Sequence, residues 1–166
     1  MDYQKAPCEL ADKMKTKWQQ YLSEEELSAV GIVVCLDENN RFLVIRRSNI
    51  DSREGQWTIP GGHIDEDDRS IESGAVRELD EETDLLCNTA DLIYLGEPKP
   101  QKYYFLTTKW DGKVNVNKPN PHTGLIEHDD YRWATIEQIK DLDNSEIPIY
   151  LLEKALEMSK NERSLR

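Results

Sequence analysis

The sequence predicts an α+β domain, and three observations predict it. Short β-rich runs alternate with turn residues over positions 29–64, one helical pattern interrupts the strands near 70–82, and amphipathic helical patterns stand toward both ends. The chain has 166 residues, the length of one domain with enough chain to bury a core.

In residues 8–22, Leu10, Met14, Trp18 and Tyr21 fall at i, i+4, i+8 and i+11, one face of an amphipathic helix with Pro7 in its first turn. Its apolar stripe has two takers, the chain's own domain or a second copy in a homodimer, and the spacing leaves both open. Residues 1–27 are read as a helical extension and 28–166 as the main domain. The run 29–36 is β-rich, 37–40 is a turn, and 41–47 resumes the strand pattern, so the two runs read as a hairpin. Polar residues 49–56 form a loop, and 57–64 is a short strand broken by Pro60, Gly61 and Gly62. A helix follows over 70–82. Strands at 91–95 and 103–108 flank a loop at 98–100, and a Pro/Asn-rich connection spans 116–121. A strand is expected at 131–134, then helices over 136–142 and 148–159, the last amphipathic through Ile149, Leu152, Ala155 and Leu156.

Composition excludes several function classes. With 21 Lys and Arg against 33 Asp and Glu, the net charge of −12 repels phosphate backbones and anionic lipid, so no non-specific nucleic-acid binding is expected. The apolar run 29–36 is far short of the roughly 20 residues a membrane helix needs. Asp2, Glu9 and Asp12 do not suit a secretory signal, and Cys8, Cys35 and Cys87 are too widely spaced for a disulfide framework or a zinc site, which together read as cytoplasmic.

The acidic charge is concentrated. Ten carboxylates and two arginines lie between Asp65 and Asp84. On a helix, Ile71, Ala75, Glu78 and Glu82 form one stripe that begins apolar and ends in carboxylates, with Glu81 beside Glu78, so the acidic end faces a cleft beside the core. Carboxylates near a helix C-terminus are each disfavoured by about 0.3–1 kcal/mol, and like charges at i, i+4 add a few tenths more. A hard divalent cation, Mg²⁺ or Mn²⁺, would compensate. A solvated charge run has the same spacing, and spacing alone leaves both readings open.

Gly62, the acidic residues after it and Arg77-Glu78-Leu79-Asp80-Glu81-Glu82-Thr83-Asp84-Leu85 resemble the Nudix box, G-x5-E-x7-R-E-U-x-E-E-x-G-U with U aliphatic. The lead-in from Trp57 to Ile64 and the late segment from Glu127 to Trp133 are also similar to the Nudix hydrolase superfamily, and together these cover about 29–142. Asp68 stands where that pattern has Glu, with eight residues instead of seven before Arg77, which leaves Asp68 without an assigned role. Asp84 replaces the final Gly, a position that Asp can fill in the left-handed conformation.

The resemblance implies an α/β/α sandwich with a mixed sheet, and metal-dependent hydrolysis of a nucleoside diphosphate linked to another moiety. It implies Glu78 and Glu82 as metal ligands, Glu81 sharing the site, and the Gly61 carbonyl as a backbone ligand. Arg77 orients a glutamate, and Glu127 is a further ligand or the general base, a role that a box glutamate could also fill. Arg46 and Arg47 end a strand whose alternation sends one to each face, where either a phosphate or solvent can meet them. Trp57, Tyr103, Tyr104 and Trp133 have the shape to stack a base or to fill the core. His63 and His128 are read as packing or hydrogen-bonding residues, because oxygen ligands suffice for magnesium.

Within that family a Pro about fifteen residues past the box goes with ADP-ribose, and a Tyr slightly later with dinucleoside polyphosphates. Pro100 and Tyr103 match both marks. The two marks conflict, and the order expected from the resemblance alone is an ADP-ribose-like compound, then a dinucleoside polyphosphate, then a nucleoside triphosphate. The alternative is a non-catalytic nucleotide-binding module on the same fold.

Overall fold

Strand β1 (Val30–Cys35) is apolar at every position except Gly31 because both of its faces are covered. The computed structural model describes residues 22–50, 53–142 and 146–164, so the helix expected over 8–22 lies outside the described residues but for Leu22. A single turn, α1 (Glu24–Leu27), leads into β1 and is closed by a capping box between Ser23 and Glu26.

Two sheets form the centre. In the first, β1 lies between β4 (Gly61–His63), antiparallel to it, and β6 (Lys102–Thr107), parallel to it, with β5 (Ile93–Lys99) at the edge beyond β6. In the second, β2 (Phe42–Arg47) is flanked by β3 (Trp57–Thr58) and β7 (His128–Ala134), all antiparallel. Alternate residues of β1 and β2 feed opposite cores. Ile32, Val34, Phe42 and Val44 meet Leu151, Leu152 and Ala155 of the helix α4 (Ile149–Ser164). Val33, Cys35, Leu43 and Ile45 meet Ala75 and Leu79 of the helix α2 (Ile71–Thr83). The layers are helix, sheets, helix, as the resemblance implied. Each fully buried Leu, Ile or Phe contributes roughly 1.5–3 kcal/mol over its exposed state. A short helix, α3 (Ile136–Lys140), with its own capping box at Thr135, joins β7 to α4.

Three expectations are corrected. The runs 29–36 and 41–47 do not form a hairpin in one sheet. The turn between them closes, with the Asp37 carboxylate accepting from the Asn39 and Arg41 N–H groups, and one bridge joins Leu36 to Phe42. The strands then part into separate sheets, because each has both faces to bury and finds its partners far along the chain. Strand β5 runs past Leu95 to Lys99 through Pro98; on an edge strand the missing N–H of proline costs no ladder bond. Strand β7 begins at His128, three residues before the predicted start.

Helix α2 carries the acidic stripe. Its first turn is capped by Ser70 Oγ, which accepts from the Ser73 N–H at 3.0 Å. It ends at Asp84, in the left-handed conformation with φ 67°. The last turn holds no basic residue of its own. Lys118 supplies one, donating from Nζ to the Asp80 carbonyl at 2.7 Å and pairing with the Asp84 carboxylate.

Candidate active site

The register of α2 that buries Ala75 and Leu79 brings Glu78 and Glu82 to the edge of the core beside β4. There the Gly61 N–H donates to Glu82 Oε1 at 2.8 Å. A Cβ on Gly62 would stand 2.4–2.8 Å from the Glu78 carboxyl atoms, so a side chain at that position would displace the Glu78 carboxylate.

Arg77 is the hub of the acidic helix. Its Nε and Nη2 donate to Asp68 Oδ1 and Oδ2 at 2.9 and 3.0 Å, a bidentate pair. Nη1 donates to Glu78 Oε1 and Glu81 Oε2, both at 3.1 Å, and Nη2 also donates to the His63 carbonyl at 3.1 Å. Asp68 is only 7% exposed, and its carboxylate accepts a further bond from the Asp65 N–H at 2.7 Å. The residue left unassigned by the resemblance therefore holds the arginine that in turn holds two glutamates. Burial pushes the Asp68 carboxyl up, but the Arg77 pair and the Asp65 N–H outweigh it and keep it below the usual carboxylate range.

The opposite side of the site comes from the segment before β7. One ligand atom each from Glu82, Glu127 and His128 lies within 4.8 Å of the others. His128 is buried, with Nε2 3.3 Å from Glu82 Oε2, the hydrogen-bonding placement expected of it. Asn120 donates from Nδ2 to Glu127 Oε1 at 3.0 Å. Burial, Glu78 and Glu127 push the Glu82 carboxyl well above the usual range, against the opposing effects of the Gly61 N–H and Arg47. Burial likewise raises Glu78, although Arg77 pulls it down. Carboxylates so poorly compensated within the protein form a donor set that fits a hard divalent cation. Glu78 and Glu81 both accept from Arg77 Nη1, and neither belongs to the Glu82, Glu127 and His128 group.

A cleft of about 430 Å³ opens beside Glu78, Glu82 and Glu127. Among its walls are Gly61, Arg47, Lys102, Tyr104 and Ile59, so it joins cations and apolar surface to the carboxylates. Burial pushes the Tyr104 hydroxyl up to about 12. The other residues expected at a substrate stand elsewhere. Arg46 pairs with Asp129 at 2.7 Å and Trp57 is a core residue covered by the Arg132 guanidinium at 4.7 Å from the ring centre. Tyr103 packs on the α2 side of the sheets, and Trp133 stacks on Trp110 with ring centres 5.3 Å apart. Asn120 and Lys102 lie at the site and carried no motif. The Asn- and Pro-rich stretch around 116–121 was the only local sign of an ordered loop there.

The family model for the NUDIX domain matches residues 26–154. The chain is 27% identical over 137 residues to an RNA pyrophosphohydrolase of Bartonella tribocorum, a match covering 68% of this chain and 78% of that protein. It is 28% identical over 109 residues to an uncharacterized Nudix hydrolase, NudL, of Yersinia pestis, covering 65% of this chain and 55% of that relative, so the chain spans about half its length. Among solved structures, the NUDIX domain of Shewanella oneidensis NrtR, crystallised with ADP ribose, has the same fold with a TM-score of 0.55 at 17% identity, covering 87% of this chain and 97% of that one.

Proposed function

Because the chain belongs to the Nudix family, we propose that it is a metal-dependent pyrophosphohydrolase that cleaves the phosphoanhydride of a nucleoside diphosphate linked to another moiety, with an ADP-ribose-like compound as substrate. The observation that carries this reading is the convergence of Glu78, Glu82 and Glu127, from α2 and from the segment before β7, beside a cleft with Arg47 and Lys102 in its walls. Pro100, the residue that the family associates with ADP-ribose, and the ADP-ribose complex of the NrtR domain support the substrate class.

Glu82 and Glu78 would hold Mg²⁺ or Mn²⁺, which supplies neutralisation of the charge that develops on the phosphate oxygens and lowers the pKa of water. Arg47 and Lys102 attract the substrate's phosphates, and the apolar wall around Ile59 and Tyr104 receives the base. Arg77 keeps Glu78 and Glu81 in fixed positions. Glu127 accepts the proton of the attacking water.

The test is a hydrolysis panel with Mg²⁺ or Mn²⁺ using ADP-ribose, diadenosine polyphosphates, nucleotide sugars and nucleoside triphosphates, with products separated chromatographically. Cleavage of ADP-ribose to AMP and ribose 5-phosphate, lost on chelation of the metal, is the expected result. Nucleotide binding without cleavage of any panel member would overturn it in favour of a binding module. In the same assay Gly62→Ala is expected to lose about hundredfold in kcat, since its methyl group would displace the Glu78 carboxylate by a large part of an ångström. Unchanged turnover in that variant would remove Glu78 from the reaction.

A further inference from the structure

In the loop 118–127 the Asn120 side chain stands at the centre of a hydrogen-bond network. Asn120 Oδ1 accepts from the His122 N–H at 2.8 Å and from the Thr123 N–H at 3.2 Å. Around it, the Asn120 N–H donates to the Leu125 carbonyl, the Gly124 N–H donates to the Asn120 carbonyl, and Pro119 bridges to Ile126. At its start the loop is pinned to α2 by Lys118; at its end the Ser48 N–H donates to the Glu127 carbonyl and Ser48 Oγ to the Ile126 carbonyl. Because two backbone donors occupy the carbonyl end of the Asn120 amide, its NH₂ end must point the other way. That end meets Glu127 Oε1 at 3.0 Å.

We infer that Asn120 is a positioning residue that fixes the Glu127 carboxylate for the reaction by coupling it to the turn at His122 and Thr123. The inference rests on the function proposed above for its catalytic consequence, while the hydrogen-bond arrangement stands without it. An amide serves both tasks because it accepts at one end and donates at the other. Aspartate has nearly the same shape and keeps the acceptor for the turn, but it faces Glu127 with a second carboxylate where a donor is needed.

Asn120→Asp is therefore expected to lower kcat about hundredfold while KM changes less than threefold, as expected when a group near the reacting atoms is misplaced and substrate grip is kept. Its melting temperature without metal should fall by roughly 3–6 °C. The double variant Asn120→Asp with Glu127→Gln exchanges donor and acceptor across the same bond. It should recover most of that melting temperature, which reports the coupling across the bond, and no turnover because Glu127 itself is changed; the loss of kcat at nearly constant KM in the single variant is the readout that a merely structural role does not give. Wild-type kcat in Asn120→Asp, or a double variant no more stable than the single, would overturn the inference. If Asn120→Asp alone does not fold, the double variant must, and failure of both overturns it as well. A wild-type chain that cleaves nothing in the panel would defeat the function reading instead, and the metal-free melting temperatures would still report whether residues 120 and 127 are coupled.

Discussion

Replacing Glu82 by Gln is expected to lower kcat by about three orders of magnitude, the effect of losing several kcal/mol of charge stabilisation at the reacting phosphate. The fold should persist. Glutamine keeps an oxygen for the Gly61 N–H and removes a buried carboxyl that Glu78 and Glu127 already oppose. Melting temperature without metal should accordingly stay level or rise, while the stabilisation expected of the wild type on adding Mn²⁺ or Mg²⁺, which would bind the folded state, should be absent. Thermal unfolding with and without metal, beside single-turnover kinetics, separates the two effects. Near-wild-type rates in this variant would sink the metal assignment.

Arg77→Ala should have the largest effect on stability. It leaves Asp68, with its side chain 6% exposed, as an uncompensated buried charge, and it releases Glu78 and Glu81 together. Removing one partner of a buried pair costs about 3–5 kcal/mol, and the partial exposure of the arginine reduces this to about 2–4 kcal/mol. For a chain of this size that corresponds to a melting temperature roughly 5–10 °C lower. Turnover should fall as well, because the Arg77 Nη1 donor that fixes the Glu78 carboxylate is lost. Asp68→Asn should show part of both effects. The pair also sets a pH dependence: the folded Asp68 carboxyl lies below its ordinary value, so its contribution is fully present above that value and is lost as pH falls through the lowered one. Acid unfolding followed by circular dichroism should show this contribution in the wild type and lack it in Asp68→Asn.

Local periodicity made much of the site legible in the sequence. The stripe Ile71, Ala75, Glu78, Glu82 depends only on helical spacing, and the structure half-buries Ile71, buries Ala75 and brings the acidic end to the cleft. The continuous apolar run 29–36 was legible as a strand because burial on both faces leaves no polar alternation to obscure it. Long-range choices were not legible. Turn residues 37–40 announce a reversal, and they form one, but whether the flanking strands share a sheet is decided by β6 and β7 far along the chain. The start of β7 is masked by His128, Asp129 and Asp130, whose polarity suits an edge strand and looks like a loop. Aromatic residues gave the least guidance. Tyr104 and Tyr103 are neighbours on one strand with equal claims on a base, and the alternation of side chains puts Tyr104 at the cleft and Tyr103 against the other core. Asn120 escaped notice because an amide has no motif until the loop decides what each of its ends meets.

The pairing of β1 with β6, and of β2 with β7, has a consequence for how the protein acquires its chemistry during folding. Val30 meets Lys102 and Phe42 meets Ala134, so both pairings close long loops, whose entropy must be met before the contacts repay it. A chain that ended after α2 would already contain Gly61, Arg77, Glu78 and Glu82, and it would have neither the Lys102 wall nor Glu127. The carboxylates nearest in sequence are thus complete early and idle. The last strands to become available to the sheets are the ones that turn an acidic helix into a cleft, which ties the onset of activity to closure of the slow, non-local pairings.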